Sequence, residues 1–165
     1  MQFYNRIPIN IRILFILLIL CLIAFYPIFN AEYISFDDKG CILDNKLITQ
    51  PLSFVSLFNI FTTFVDNQYT PLSIMSFWLE YNFLLDFNSY FSHFINFILH
   101  IIGVIYLYYF SLEIYNDRKT AFVLSSIWAI HPIQAFTVDW IIGRRTILYG
   151  FFFYCFNVLL YKIYK

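Results

Sequence analysis

Two adjacent aspartates, Asp37 and Asp38, carry the first side chains of this sequence that could take part in a reaction. They lie in the segment YISFDDKG, shortly after a long apolar run. A carboxylate at a membrane face can act as a general base or bind a divalent metal ion. Acidic residues are equally common where a solvated loop begins. If the segment is extended, adjacent side chains point in opposite directions, and only one of the two would face a reaction centre.

The segment HFINFILH contains His93, Asn96 and His100 at spacings of three and four residues. These spacings place the three side chains on one face of a helix. Polar groups in an apolar helix usually face the protein interior or a water-filled cavity. Hydrogen bonds between helices explain the pattern as well as a functional role does. His93 lies near the end of the run and is the better site candidate, whereas we expect His100 to be structural.

Further candidates follow at His131 and at the arginine pair Arg144 and Arg145. His131 precedes Pro132, which can end a helix because proline has no backbone N–H. A guanidinium fork suits phosphate oxygens, and either a lipid headgroup or a lipid-phosphate substrate would satisfy that preference. The two aspartates, His93, His131 and the arginines all fall on the same side of the predicted spans, so we expect them to form one site.

The composition indicates that lipid is the solvent for much of the chain. Hydrophobic residues make up 61% of the 165 residues and charged residues only 12%, whereas soluble domains carry about a quarter charged residues. The net charge of zero gives no indication of a nucleic-acid partner. Cys21 and Cys155 lie in apolar runs, and we expect both to act as small buried hydrophobic side chains. Cys41 lies in a polar loop.

Four uncharged runs predict an all-α membrane protein with about four transmembrane helices, since a span needs roughly 20 mostly apolar residues. The first run could also be a signal peptide, but it ends in bulky residues rather than a small-residue cleavage site. The third run is short because Pro132 interrupts it. We treat residues 1–165 as a single polytopic domain. The predicted spans cover residues 12–31, 89–112, 119–132 and 146–163.

The connection over residues 32–88 is too long to be a simple turn. It contains two semi-apolar stretches that begin at Pro51 and Pro71, and proline is favoured as a first helical residue. We expect two amphipathic helices lying in the membrane interface. The positive-inside rule favours a cytoplasmic N-terminus and an outer loop. The basic residues on the predicted inner side are Arg6, Arg12, Arg118, Lys119, Lys162 and Lys165, against Lys39, Lys46, Arg144 and Arg145 outside.

The order of these motifs resembles that of a known family. The segments FDDKGCILDNKLI, NQYTPLSIMSFWLEYNFL, HFINFILH and AIHPIQAFTVDWIIGR follow one another in the chain. Similar motifs occur in the N-terminal part of the transmembrane and tetratricopeptide-repeat O-mannosyltransferases and their bacterial relatives, which belong to the GT-C superfamily. The match covers residues 34–160, and it implies that the chain is the N-terminal portion of a larger GT-C fold, present as a portion or as a truncated relative.

The resemblance implies a glycosyltransferase in a bacterial inner membrane or an endoplasmic reticulum. It would move a mannose-like sugar from a polyprenyl-phosphate donor to an acceptor hydroxyl of a protein or glycan, on the outer or lumenal face. Asp37 would deprotonate the acceptor, with Asp38 as the second choice. Arg144, at the family's Gly-Arg position and next to Arg145, would bind the donor phosphate. His93 and His131 would line the site.

Two other functions fit the same residues. The first is a non-catalytic membrane fragment that binds a lipid or a protein partner. The second is a small transporter subunit with the intramembrane histidines as a proton relay. The transporter is the weaker alternative, because Asp and Glu are absent from all four uncharged runs.

Overall fold

The computed structural model describes residues 7–164, except for the side chains at positions 7, 8, 154, 155, 158, 159, 161, 162 and 164. Arg6 and Lys165 therefore lie outside the described residues. The predictions made for the side chains of Cys155 and Lys162 fall outside them as well.

Regular structure in the described part of the chain is helical, as the sequence predicts. Short 3-10 turns at Tyr26–Asn30, Pro132–Gln134 and Ile141–Gly143, and a π-helical turn at Lys39–Leu43, connect the longer helices. The α-helices are α1 (Ile7–Phe25), α2 (Phe54–Thr62), α3 (Pro71–Leu84), α4 (Ser89–Tyr115), α5 (Arg118–Ala129), α6 (Ala135–Val138) and α7 (Arg144–Tyr164).

Two segments of the described chain, Ile9–Asn30 and Ser89–Tyr115, are long and apolar enough to cross a membrane. A third crossing results if Arg118–Ala129 and Pro132–Val138, which meet at an angle of 49°, form one broken span. The break falls at His131-Pro132 as expected, since proline cannot continue the hydrogen-bond ladder. A fourth crossing, by α7, stays a prediction.

The long connection contains two helices, and the expected start of the first one was wrong. Helix α2 begins at Phe54 rather than at Pro51, because the Ser53 hydroxyl accepts a hydrogen bond from the backbone N–H of Ser56 (3.0 Å) and caps the helix there. Helix α3 does begin at Pro71. Helix α2 presents a strongly apolar outer surface, on which the Phe54 side chain is 91% exposed.

The buried hydrophobic residues form two clusters. The first joins α1 to α4 and α5 and includes Leu17, Phe97 and Tyr108. The second joins the long connection to the turn before α7 and includes Cys41, Ile42, Ile48, Ile60, Ile74, Phe77, Trp78, Ile141 and Ile142. The second cluster fixes the start of α7 beneath the connection, where the residues that could carry chemistry come together.

Candidate functional site

Arg144 lies at the centre of a buried polar cluster. Its side chain is 0% exposed, and it is the first residue of α7. The guanidinium pairs with the Glu80 carboxylate of α3, and the Phe77 ring lies 4.1 Å beneath it. Its other hydrogen-bond acceptors are Asn96 Oδ1 (2.7 Å), Ser76 Oγ (3.0 Å) and the Ser92 carbonyl (2.9 Å). The charge and at least four of the five N–H donors of Arg144 are thus already engaged inside the protein.

The partners of Arg144 are themselves fixed by further hydrogen bonds. The Ser92 hydroxyl donates to the Glu80 carboxylate at 2.8 Å. The Asn96 amide donates to the carbonyls of Trp140 (3.2 Å) and Ile141 (3.1 Å), so its oxygen is free to accept from Arg144. These contacts join α3, α4 and the turn before α7 into one unit. Asn96 therefore has the interhelical role that its helical spacing allowed.

Asp38 is the buried member of the aspartate pair, at 0% exposure. One carboxylate oxygen accepts from the backbone N–H of Ile34 and the other from that of Ile142, each at 3.0 Å. The second bond ties the start of the long connection to the turn that precedes α7. Burial raises the pKa of the Asp38 carboxyl, and the two backbone hydrogen bonds oppose that rise.

Asp37 remains partly exposed beside its buried neighbour. The segment is a helical turn rather than an extended strand, and consecutive residues of a helix are about 100° apart around its axis. The two carboxylates therefore still differ in direction. Within the described chain no three His, Cys, Asp or Glu side chains meet as a metal site, and both oxygens of Asp38 are engaged with backbone donors.

Charged side chains from separate segments influence the Cys41 thiol. Burial raises the pKa of this thiol, the charges of Asp66, Asp37 and Asp38 raise it further, and the charge of Arg145 opposes the rise. Cys41 itself is 5% exposed and is a free thiol packed in the second hydrophobic cluster.

Arg145, in contrast to Arg144, is only partly buried. Its Nη1 donates to Oε1 of Gln68 at 2.8 Å, and this acceptor is uncharged. A cleft of about 220 Å³ opens directly beside Arg145. Its walls come from the start of α3 and the first turns of α7, and they are mostly apolar: Tyr69, Pro71, Leu72, Leu148, Tyr149 and Phe152.

The two histidines expected at the site occupy different environments. His93 is 1% exposed, both of its ring nitrogens lack a hydrogen-bond partner within the described part of the chain, and the carbonyl of its neighbour Ser92 accepts from Arg144. His131 is exposed, and its Nδ1 accepts from the N–H of Ile133 at 3.2 Å, which caps the turn after the break. His100 bonds the Ala129 carbonyl at 2.9 Å and stacks on Trp128, the structural role that its depth predicts.

Sequence reasoning assigns no role to Glu80, Gln68 or Asp66. Glu80 is the one acidic residue within the stretch from Pro71 to Leu84, and an isolated carboxylate in an apolar helix is a signal for a buried partner. Gln68 and Asp66 give no comparable signal, because polar residues are ordinary in a short connection between helices.

Comparison with known proteins gives relatives of one kind. Human protein O-mannosyl-transferase TMTC3 is 31% identical over 126 residues, which are 72% of this chain and 13% of that protein. Mouse protein O-mannosyl-transferase TMTC1 is 33% identical over 81 residues, 48% of this chain and 8% of that protein. A protein O-mannosyl-transferase of Caenorhabditis elegans is 26% identical over 153 residues, 87% of this chain and 22% of that protein.

The chain thus spans between 8% and 22% of the length of these relatives. No family model matches the sequence. No solved structure matches it either. The resemblance that the order of motifs predicts is confirmed by these relatives: the chain is similar to part of the protein O-mannosyl-transferases.

Proposed function

We propose that this chain forms the outer-face part of a membrane glycosyltransferase site that uses a polyprenyl-phosphate sugar donor. One observation carries the proposal. Asp38 accepts a hydrogen bond from the backbone N–H of Ile142, three residues before Arg145, so this contact brings the chain around Asp37 to the start of α7. Asp37 and Arg145 are each the partly exposed neighbour of a buried residue of the same charge, Asp38 and Arg144. This region therefore offers a carboxylate and a guanidinium outside the buried cluster. The names of the relatives support sugar transfer as the reaction.

In the proposed reaction Asp37 accepts the proton of an acceptor hydroxyl on a protein or a glycan. The hydroxyl oxygen bonds to the anomeric carbon of the sugar while the bond from that carbon to the phosphate oxygen breaks. The phosphate leaves on its lipid and gains one negative charge. Arg145 stabilises that charge, because a guanidinium at the leaving group interacts more strongly with the product-like transition state than with the donor.

This assignment moves the phosphate contact from Arg144 to Arg145. Arg144 sits at the family's Gly-Arg position, but its charge is balanced by Glu80 and its donors are engaged with Asn96, Ser76 and Ser92. Replacing those partners by a ligand would leave the Glu80 carboxylate buried without its counter-ion, which is costly. We propose that Arg144 supports the site from beneath, and that His93 and His131 contribute to its walls.

The cleft beside Arg145 suits the lipid part of such a donor. Its volume is about 220 Å³, and its lining is apolar apart from Arg145, Thr70 and Ser73. An isoprenoid chain is wholly apolar, so burial in this cleft is favourable at roughly 25 cal/mol per Å² of surface removed from contact with water. The phosphate of a lipid seated here lies next to the guanidinium.

The membrane arrangement that we propose has four crossings, a cytoplasmic N-terminus and α2 lying in the outer interface. The excess of Lys and Arg on the predicted inner side supports this orientation. The apolar outer surface of α2 supports its contact with lipid, since Val55 and Phe58 are 69% and 67% exposed. This arrangement brings Asp37 and Arg145 to the same membrane surface.

The substitution Asp37→Asn tests the function. We expect it to abolish transfer of sugar from a polyprenyl-phosphate-mannose donor by the full chain in lipid nanodiscs, while the thermal unfolding midpoint stays unchanged. Asp44→Asn is the matched control, because Asp44 is an exposed aspartate of the same connection. Equal transfer by the wild-type chain and the Asp37→Asn variant would contradict the role of Asp37. Binding of the donor without any transfer by the wild type would favour the non-catalytic lipid-binding alternative.

A further inference from the structure

We propose that Gln68 is a positioning residue that holds the Arg145 guanidinium with an uncharged acceptor, so that a lipid phosphate can bind this guanidinium without displacing a carboxylate from it. This inference rests on the proposed function, since it concerns the same anion. It assigns a role in the site to Gln68, which lies in the segment NQYTPLSIMSFWLEYNFL but receives no role from the sequence.

The two adjacent arginines differ in the charge of their partners. Arg144 meets a carboxylate, Glu80, and the pair is neutral as a whole. Arg145 meets the amide oxygen of Gln68, which orients the guanidinium without cancelling its charge. A single amide oxygen occupies one of the five N–H donors of an arginine, so the remaining donors can bind phosphate oxygens in the usual forked geometry.

A tight turn fixes the position of Gln68. The backbone N–H of Val65 donates to the carbonyl of Gln68 at 3.0 Å, and the N–H of Gln68 donates back to the carbonyl of Val65 at 2.9 Å. The two central residues, Asp66 and Asn67, have φ values of 50° and 56°, as a type I′ turn requires. Asn and Asp adopt this left-handed region more readily than other residues with a side chain. The amide of Gln68 is therefore presented from a backbone with little freedom.

Tyr69, the residue after Gln68, connects the turn to α2. The Tyr69 hydroxyl donates to the carbonyl of Phe61, near the end of α2, at 2.9 Å. Tyr69 also forms part of the wall of the cleft beside Arg145. The turn, the guanidinium and the cleft are thus connected through consecutive residues, and a change at Gln68 should act on phosphate binding without acting on the buried cluster around Arg144.

Binding of polyprenyl phosphate to the full chain, measured in nanodiscs of phosphatidylcholine, tests this inference in the variants Gln68→Glu and Gln68→Leu. The new carboxylate of Gln68→Glu would pair with Arg145 and compete with the phosphate, so we expect Kd to rise about fivefold, near the upper limit for an exposed ion pair. Gln68→Leu removes the hydrogen bond to Arg145 but adds no competing charge, so we expect a smaller rise of about threefold. Asn67→Gly is the control, since glycine also adopts a positive φ, and we expect its Kd to match the wild type.

A second measurement does not depend on the ligand. In the chain labelled with ¹⁵N-arginine, the hydrogen bond to Gln68 should slow rotation about the Cζ–Nε bond of Arg145 and give two resolved Nη resonances. The variant Arg145→Lys assigns these signals by their loss. We expect Gln68→Leu to merge the two resonances into one and Asn67→Gly to leave them resolved.

The two measurements separate failure of this inference from failure of the proposed function. Unchanged Nη resonances in Gln68→Leu, or equal Kd values for Gln68→Glu and the wild type, would overturn the role of Gln68. Absence of polyprenyl-phosphate binding by the wild type, or equally strong competition from phosphatidylglycerol, would instead overturn the specific lipid-phosphate donor. The predicted order of Kd values, with the glutamate variant weakest and the leucine variant intermediate, supports both proposals.

Discussion

Two clusters of polar side chains are centred on adjacent arginines. The buried cluster around Arg144 consists of Arg144, Glu80, Asn96, Ser76 and Ser92. The outer cluster around Arg145 consists of Arg145, Gln68, Asp37, Asp66 and Cys41. In the buried cluster a carboxylate balances the guanidinium, and hydrogen bonds engage nearly all of its donors. In the outer cluster the arginine has an amide partner and keeps its charge. The same side-chain type thus holds the fold at one position and is available for binding at the next.

The aspartate pair shows the same division. Asp38 is buried and accepts two backbone hydrogen bonds, while Asp37 is partly exposed. Both pairs lie in helical segments, so consecutive side chains point about 100° apart and cannot both face the same side. We therefore expect that, of two adjacent charged residues at the edge of a site, one holds the fold and the other binds or reacts with the substrate.

The largest expected effect is that of Glu80→Ala. It leaves the Arg144 charge buried without its partner, which should cost about 3–5 kcal/mol of unfolding free energy. Unfolding of the purified chain in a denaturing detergent, followed by circular dichroism, measures this. The double variant with Arg144→Met should recover part of the loss, because it removes the unpaired charge. A loss as small as that of Gln68→Ala, on the outer cluster, would mean that the Arg144 pair does not hold the fold.

A smaller loss of unfolding free energy is expected from Gly143→Ala, at the residue before Arg144. A Cβ atom at this position would lie 2.7 Å from the carbonyl oxygen of Phe136 and 2.9 Å from that of Thr137, and these are backbone atoms that cannot easily move. Overpacking of this kind costs about 1–3 kcal/mol. Gly150→Ala is the matched control in α7, since nothing lies within 4 Å of its Cβ position. Equal unfolding midpoints for the two variants would contradict this close approach of the turn to α6.

Asp38→Ala should also destabilise the protein, by about 1–3 kcal/mol, because the backbone N–H groups of Ile34 and Ile142 lose their acceptor in a buried position. Asp38→Asn should cost less, since its amide oxygen can still accept one of the two hydrogen bonds. Hydrogen exchange at the amide of Ile142 reports the contact directly. Protection of that amide in Asp38→Ala equal to the wild type would show that Asp38 does not connect the two segments.

The smallest stability effects are expected in the outer cluster. Asp37→Asn and Arg145→Leu should each change the unfolding free energy by less than about 0.5 kcal/mol, as substitutions at the protein surface usually do. Arg145→Leu should nevertheless weaken binding of polyprenyl phosphate in the nanodisc assay. A loss of unfolding free energy as large as that of Glu80→Ala would show that Asp37 and Arg145 hold the fold. The outer cluster would then not differ from the buried cluster.

The sequence predicts the helical class and the break at His131-Pro132, because these follow from apolar periodicity and from proline. It also indicates that Asp37 and Asp38 would differ, although it does not predict the helical turn that separates them. Residue type does not distinguish Arg144 from Arg145, since both suit phosphate equally well, and the family resemblance favours Arg144 rather than Arg145. That distinction depends on Glu80, which lies 64 residues away in the chain and faces Arg144 only after α3 packs on α7.

Modification of the folded chain by an arginine-specific dicarbonyl reagent, with peptide mass spectrometry, tests the division between the two arginines most directly. The reagent attacks accessible guanidinium groups, so each residue is compared with its neighbour in the same molecule. We expect Arg145 to be modified readily and Arg144 to be protected until the protein unfolds. Polyprenyl phosphate should slow the modification of Arg145. Modification of Arg144 at the same rate as Arg145 in the folded chain would contradict the buried cluster and the assignment built on it.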